Sequence, residues 1–395
     1  MGNKFSFIHC ADLHLGARFV GIMDDDPQLG GRMRDSVKES FSRIIDAGLD
    51  REVDFMVISG DLYDDTNVQP SIRLFLCNEL KRFGRPVYIA RGNHDPESPW
   101  DKAIPYPENV HEFPIIQHHY VMNIRGSMVD VTGISFCESH DRRNLVSMIS
   151  GIEGRFSIAV VHCDIETTDG DSDYAPFSIG DTVGKGVDYW ALGHIHKREV
   201  ISDNPYVVYP GNIQGRSIKE TGEKGAYIVS VTDGAVDSME FIATQSISWE
   251  VVHVDVTGKG LDQVLDEVCG ALNPDKAVRL VFEGHGECNA ALRKNLDDIL
   301  TVISERTGCI MAGATVDTTG AIDPDSLIGG SDMRSKIVGI CRDLKGDRRR
   351  ILDTIATNAM AGKNMGFFES LTDEELYELV EDSMMSVLSD MEASR

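Results

Sequence analysis

The sequence is short of several things. No apolar run approaches the roughly 18–20 residues that span a bilayer. Near its first residue there is no apolar segment followed by a small-residue cleavage site. No membrane association is therefore expected, and a cytoplasmic location is, nucleoid-associated if the source is prokaryotic. The eight cysteines, at 10, 77, 137, 163, 269, 288, 309 and 341, form no C-x-x-C pair. Scattered in this way, several of them in apolar runs, they read as reduced, mostly buried intracellular thiols. Positive charge is scarce: 38 Lys and Arg face 64 Asp and Glu, a net charge of −26. Phosphate contacts need Lys and Arg, so this balance taken alone argues against a nucleic-acid binder. Part of the excess is local, since residues 369–395 hold nine acids and one Arg. Clustered carboxylates that hold metal also count as negative until the metal is bound.

What remains is an ordinary globular composition with 42% hydrophobic residues in 395, enough for two or three domains. "MGNKFS" fits the acylation pattern of Gly2 with Ser6. Phe5 to His9 already reads as a core strand, so a structural start is the preferred reading.

The first 200 residues repeat one arrangement, an apolar strand ending in a polar cluster. "FSFIHC" leads to Asp12 and His14, "VDFMVIS" to Gly60 and Asp61, and "VYIAR" to Gly92, Asn93, His94 and Asp95. "FSIAVV" leads to His162 and Asp164, and "VDYWAL" to Gly193, His194 and His196. Continuous apolar runs are strands buried on both faces. Between the early strands, Val37, Phe41, Ile44, Ile45 and Gly48 follow helix spacing, as do Ile72, Phe75, Leu76 and Leu80 after Pro70. The class is α/β with a largely parallel core, where ligands gather beyond the carboxyl ends of strands. After His196, "VVYPGNIQG" and the hairpin "GAYIVSVTDGAVDSMEFIA" read as strands that complete a second sheet facing the first.

A boundary falls near residue 250. The expected division is 1–248, then a small α/β domain over 249–320 built from "WEVVHVDV", "LDQVLDEVCGALN", "AVRLVFEG" and "NAALRKNLDDILTVISERTG". Residues 321–395 follow as a Gly/Asp-rich linker and C-terminal helices, with Ser370 and Asp373 a weak capping box.

Asp12, His14, Asp61, Asn93, His162, His194 and His196 form one constellation of metal-ligand types, each at or just past a strand end. Asp12 and His14 are two apart on an extended chain, which turns both side chains the same way, and His194 and His196 share the pattern. Such a mixed N/O set of seven holds two ions if one carboxylate bridges them. Two ions about 3.5–4 Å apart clamp an in-line displacement at phosphorus and lower the pKa of water. His94 is then free to protonate or stabilise the leaving oxygen, with Asp95 orienting its imidazole. Gly92 permits a tight turn there and Pro96 helps end the loop.

The ordered motifs "DLHLG", "GDLYD", "GNHD", "VHCD" and "GHIH" resemble those of the calcineurin-like metallophosphoesterases, nearest the DNA-repair nuclease branch containing SbcD. "ALGHIHKREVISDNPYVVYPGNIQGRSIKETGEKG" resembles the YhaO-type subgroup, and the likeness covers roughly the first 240 residues. It implies a two-sheet α-β-β-α sandwich with a small cap domain. It implies one metal on Asp12, His14, Asp61 and His196, another on Asp61, Asn93, His162 and His194, and His94 as the catalytic non-ligand. It further implies Mn²⁺, or else Mg²⁺, DNA phosphodiester cleavage, an SMC-like coiled-coil ATPase partner of the SbcC type, and a homodimer. Asp64 stands where many relatives carry His, which leaves the choice of exo- over endonuclease cleavage open. Arg91, Lys197, Arg198, Arg216 and Lys219 flank the motifs as candidate phosphate contacts. The alternatives are a phosphomonoesterase or small-molecule phosphodiesterase, which the acidic charge favours, and a non-catalytic scaffold, which should have lost a ligand.

Overall fold

The computed structural model describes residues 3–17, 27–65, 68–95, 100–165, 172–320, 323–358 and 361–393. Gly2 of the acylation pattern and Pro96 lie outside them. The chain divides into two compact units, Met1–Glu250 with Asp275–Ala277, and Val251–Pro274 with Val278–Arg395.

The first unit opens with β1 (Lys4–Cys10), α1 (Pro27–Asp50), β2 (Phe55–Ser59), α2 (Pro70–Phe83), β3 (Val87–Ala90), the single turn α3 (Trp100–Ala103) and β4 (Val110–Glu112). It continues with β5 (His118–Ile124), β6 (Ser127–Ile134), β7 (Phe156–His162), β8 (Tyr189–Gly193), β9 (Glu199–Asp203), β10 (Tyr206–Tyr209), β11 (Gly225–Thr232) and β12 (Ala235–Ala243). Pro70 starts α2, and Gly84, left-handed at φ 66°, ends it.

The strands form two sheets, in the orders β12-β11-β1-β2-β3-β4 and β5-β6-β7-β8-β10-β9. β1 to β4 of the first sheet and β6, β7, β8 and β10 of the second are parallel; the antiparallel hairpin β11–β12 closes one edge of the first sheet, and antiparallel strands close both edges of the second. This corrects the sequence reading, which put the strands after His196 together in the second sheet. That sheet already contains β7 and β8 and begins at β5, whereas the hairpin β11–β12 pairs with β1, Phe7 opposite Val229. Burial explains the choice. The first five residues of β11 are all buried, which an inner strand requires, while β12 is mostly exposed and suits the edge.

Alternation within each strand makes the core. Phe5, Phe7, Phe55, Val57, Tyr88 and Ala90 of one sheet meet Val129, Val131, Ile158, Val160, Tyr189 and Ala191 of the other. Each large side chain buried there contributes about 1.5–3 kcal/mol. On the outer side of the first sheet, α1 comes so close that a Cβ added to Gly48 would lie 2.7 Å from Ile8 Cδ1 and 3.0 Å from Phe83 of α2. The outer side of the second sheet is covered by loops and the 3-10 turns Val146–Met148 and Ile179–Thr182, over a cluster containing Phe136, Trp190 and Phe177.

β13 (Ser248–Asp255) leads out of the first unit. α4 (Leu261–Ala271), β14 (Lys276–Gly286), α5 (Asn289–Lys294), α6 (Leu296–Thr307) and β15 (Ile310–Gly320) follow, and the three strands form a sheet in chain order. Its core includes Val264, Val268, Leu280, Phe282, Ile299 and Ile303. Then come α7 (Met333–Leu344), α8 (Arg348–Ala356), α9 (Met365–Ser370) and α10 (Asp373–Ala393). Met384 and Leu388 of α10 pack on Val338 of α7. The capping box of α10 is not Ser370 with Asp373. Thr372 Oγ1 accepts from Glu375 N–H at 3.3 Å, and Glu375 Oε2 accepts from Thr372 N–H at 2.7 Å. Ser370 closes α9 instead. The eight cysteines are free thiols, five of them buried. Among the described residues no helix is long and apolar enough to cross a membrane.

Gly48→Leu, overpacking the contact with Ile8, is expected to lower stability by about 1–3 kcal/mol. A denaturant midpoint that falls with an unchanged m-value checks it.

Candidate metal centre

The carboxyl ends of β1, β2 and β3 meet those of β7 and β8. Ser59 at the end of β2 donates from Oγ to Ala191 O of β8 at 2.8 Å, and its carbonyl accepts from His162 Nδ1 of β7 at 2.9 Å. That second bond fixes the His162 tautomer and turns Nε2 toward the space between the sheets.

Around that space the structure gathers Asp12, His14, Asp61, Asn93, His162, His194 and His196. His14 Nε2 lies 3.0 Å from His196 Nε2 and 3.7 Å from Asp61 Oδ2. His162 Nε2 lies 3.5 Å from the same Asp61 oxygen and 2.9 Å from Asn93 Oδ1. His194 Nδ1 is 3.3 Å from both Asn93 Oδ1 and His162 Nε2. Asp61 thus stands between a group containing His14 and His196 and a group containing Asn93, His162 and His194.

The route to this convergence differs from the sequence expectation. Asp12 and His14 do not share a face through strand alternation. Both are left-handed, at φ 52° and 45°, as are Asp61 at 52° and His194 at 102°. Four non-glycine residues at positive φ in one site store strain of about 1–3 kcal/mol each, which the surrounding core must offset. Glycines permit the closest approaches. A Cβ on Gly92 would lie 2.2 Å from Asp61 Oδ1, and one on Gly60, itself at φ 90°, would lie 2.5 Å from His162 Nδ1.

Burial dominates the electrostatics. It raises the Asp12 carboxyl above its usual range, against the opposing pull of His196 and His162. It holds His14 below its ordinary value and, with His162 adding to the effect, lowers His194 to about 3. Burial also pushes Asp61 up, but His162, His14 and His94 outweigh it and the carboxyl ends lower. Burial thus favours the neutral imidazole at His14 and His194, while Asp61 is favoured as the carboxylate, the forms in which these groups coordinate metal. The donor set fits divalent cations. Asp12, His14 and His196 form one group of ligand atoms, and Asp12, Asp61 and His162 another.

His94 and Asp95 are placed apart. The expected Asp95–His94 contact is corrected: His94 Nδ1 donates to the Asp64 carbonyl at 2.8 Å. Asp95 points back under the turn and accepts from Leu62 N–H at 2.8 Å and Gly92 N–H at 2.7 Å. It therefore ties the loop that carries Asp61 to the loop that carries Asn93. Burial, reinforced by Asp61, raises the Asp95 carboxyl to about 7.

Of the flanking cations, Arg91 is paired with Glu112, and Arg198 lies 3.8 Å over the Phe241 ring and 3.7 Å from Glu223. Lys197 is 3.6 Å from Glu199 and Lys219 is exposed. Arg216 reaches Asp64, 2.6 Å from its Oδ1.

Sequence reasoning missed Glu220. Its Oε1 is 2.8 Å from His196 Nδ1, and its Oε2 accepts from Asn212 Nδ2 at 2.8 Å and Arg216 N–H at 2.7 Å. Burial alone would raise this carboxyl, yet the bond to His196 and these donors take it down to about 2. Burial lowers His196, but the bond to Glu220 together with the charges of Asp12 and Glu220 outweighs it, and His196 ends raised. A carboxylate behind a ligand imidazole fixes its tautomer and raises its basicity. The signal was present in "GRSIKETGEKG", but only folding shows which acid there faces His196.

Residues 5–198 match the calcineurin-like phosphoesterase family. The chain is 35% identical to the uncharacterized metallophosphoesterase YhaO of Bacillus subtilis (strain 168), over 78% of this chain and 79% of that protein. It is 26% identical to the DNA double-strand break repair protein Mre11 of Sulfolobus acidocaldarius, over 71% and 74%. To the Mre11 protein of Sulfurisphaera tokodaii it is 27% identical, over 75% and 78%.

Glu220→Gln is expected to weaken Mn²⁺ binding about 10–100-fold with the far-UV circular dichroism unchanged. Titration of the metal-free protein by calorimetry checks it, and equal affinity would remove Glu220 from the site's support.

Proposed function

The chain belongs to the calcineurin-like phosphoesterases, and on that premise we propose that it is a two-metal DNA phosphodiesterase processing DNA ends in double-strand-break repair. It acts as an exonuclease, with single-strand endonuclease cleavage also within reach of such a site, together with an SMC-like coiled-coil ATPase of the SbcC type. The observation that carries the reading is the convergence on Asp61 of His14 and His196 from one side and Asn93, His162 and His194 from the other. The names of the Mre11 relatives suggest the substrate.

In this reading Asp12, His14, Asp61 and His196 hold one ion, and Asp61, Asn93, His162 and His194 hold the other. Mn²⁺ suits the mixed N/O set, with Mg²⁺ second. When bound, the ions supply Lewis acidity at phosphorus and neutralise charge on the phosphate oxygens. The chain's own residues do the rest. His94 spends Nδ1–H on the Asp64 carbonyl, so Nε2 is the atom left to carry a proton to the leaving oxygen. Asp95, through Leu62 and Gly92, keeps the Asp61 and Asn93 loops in register. Residues 249–320 serve as a cap that positions DNA, residues 321–395 as the partner-binding segment, and the chain works as a homodimer. Lys197 and Lys219 remain candidate backbone contacts.

The net charge of −26 favours a second reading, a phosphomonoesterase or small-molecule phosphodiesterase. A non-catalytic scaffold is disfavoured by the complete ligand set.

With Mn²⁺, and without it in EDTA, end-labelled single- and double-stranded DNA and a chromogenic phosphodiester separate these readings. Metal-dependent DNA cleavage is expected. Turnover of the small ester with DNA left intact would shift the assignment to the second reading. His94→Asn is expected to lose about 10²–10⁴-fold in rate while keeping its Mn²⁺ content, whereas Asn93→Ala loses metal. Without the ATPase, DNA binding should be weak and fall further with salt. Tight, salt-independent binding by this chain alone would contradict the proposed dependence on the partner.

A further inference from the structure

The site contains a third group of metal-type side chains, His14, Asp64 and His94, beyond those assigned to the two ions. It already has a cation. Arg216 Nη2 lies 2.6 Å from Asp64 Oδ1, and the same oxygen lies 3.3 Å from His14 Nδ1. A guanidinium is charged at every pH a protein meets, so this third group is compensated without an ion.

The contact engages one guanidinium nitrogen of Arg216 and leaves the others to turn toward the site. Although a guanidinium nitrogen is 2.6 Å away, Asp64 Oδ1 is a buried atom with no aligned hydrogen-bond partner. A guanidinium carries five N–H donors. Among the described residues, the directed hydrogen bond that Arg216 makes comes from its backbone N–H, to Glu220 Oε2. That carboxylate also holds His196 and Asn212, so the backbone beneath Arg216 is fixed while its head group, 24% exposed, faces the ligand loops of the other sheet. Neighbouring cations are committed elsewhere. Arg91 pairs with Glu112, Arg198 covers the Phe241 ring, and Lys224, itself buried, donates to the His196 carbonyl at 3.0 Å.

We propose that Arg216 is the phosphate-binding residue of this centre, donating from its guanidinium to the non-bridging oxygens of the scissile phosphodiester. Asp64 aims it and Glu220 anchors it. Planar bidentate donors match phosphate oxygens, and water exclusion strengthens them. The inference rests on the phosphodiesterase reading and is independent of whether the ester belongs to DNA.

The test uses the full chain loaded with Mn²⁺, bis(p-nitrophenyl) phosphate as substrate and inorganic phosphate as ligand. Arg216→Ala is expected to lose about 10²–10³-fold in kcat/KM, to bind phosphate at least about tenfold more weakly by calorimetry, and to keep its Mn²⁺ stoichiometry. Added guanidinium should restore part of the Ala variant's rate without raising that of wild type, and Arg216→Lys should fall between the two. Wild-type phosphate affinity in Arg216→Ala would overturn the assignment. So would loss of Mn²⁺ together with activity, or a loss of rate that guanidinium does not recover. If wild type cleaves the small ester and leaves DNA intact, the DNA reading fails and this comparison still decides the role of Arg216. The phosphate titration decides it even where no turnover is seen.

Discussion

The structure depends on a single buried carboxylate. Asp61 is 2% exposed and left-handed at φ 52°, one oxygen lies within 3.7 Å of two imidazoles from different sheets, and the other accepts the His94 N–H at 3.0 Å. Taking a charge out of water is costly unless partners are fixed around it. The partners here come from β1, β3 and β7, so Asp61 can be accommodated only after the two sheets have closed. Gly92 must lack a side chain because its Cα lies against the Asp61 carboxylate, and Asp95 binds the two loops that flank it.

That requirement gives the sandwich its purpose. Aromatic and branched residues alternate between the facing sheets and hold the strand ends where the polar groups converge. Strain at Asp12, His14, Asp61 and His194 is tolerated because each lies one to four residues beyond a strand that is paired on both sides within its sheet. Outside the ligand set, the same economy recurs with Glu220, one carboxylate that supports His196, Asn212 and the backbone of Arg216.

Much of this was legible in the sequence, and the limits have physical reasons. Apolar runs with polar residues at their ends reveal buried strands and the seven converging side chains, because both properties are local. Sheet membership was misread for β11 and β12, since a hairpin carries no mark of the edge it will join. The expected Asp95–His94 contact failed because adjacency in sequence says little about a tight turn, which sends neighbouring side chains in opposite directions. Alternation was the wrong ground for pairing Asp12 with His14, since positive φ values are invisible in a run of ligand types. Glu220 lies 24 residues from His196, so only tertiary structure singles it out from its acidic neighbours.

The acidic surface and the metal centre are separate facts about the molecule. A net charge of −26 says where free DNA will not settle readily, while the site itself is a set of carboxylates and imidazoles suited to cations, with Arg216 beside it. The central claim is that these side chains hold two ions bridged by Asp61 and leave His94 uncoordinated. Anomalous diffraction from crystals grown with Mn²⁺ tests it most directly. Two peaks per chain are expected, both in contact with Asp61 and neither with His94. A single peak, or a peak ligated by His94, would contradict it.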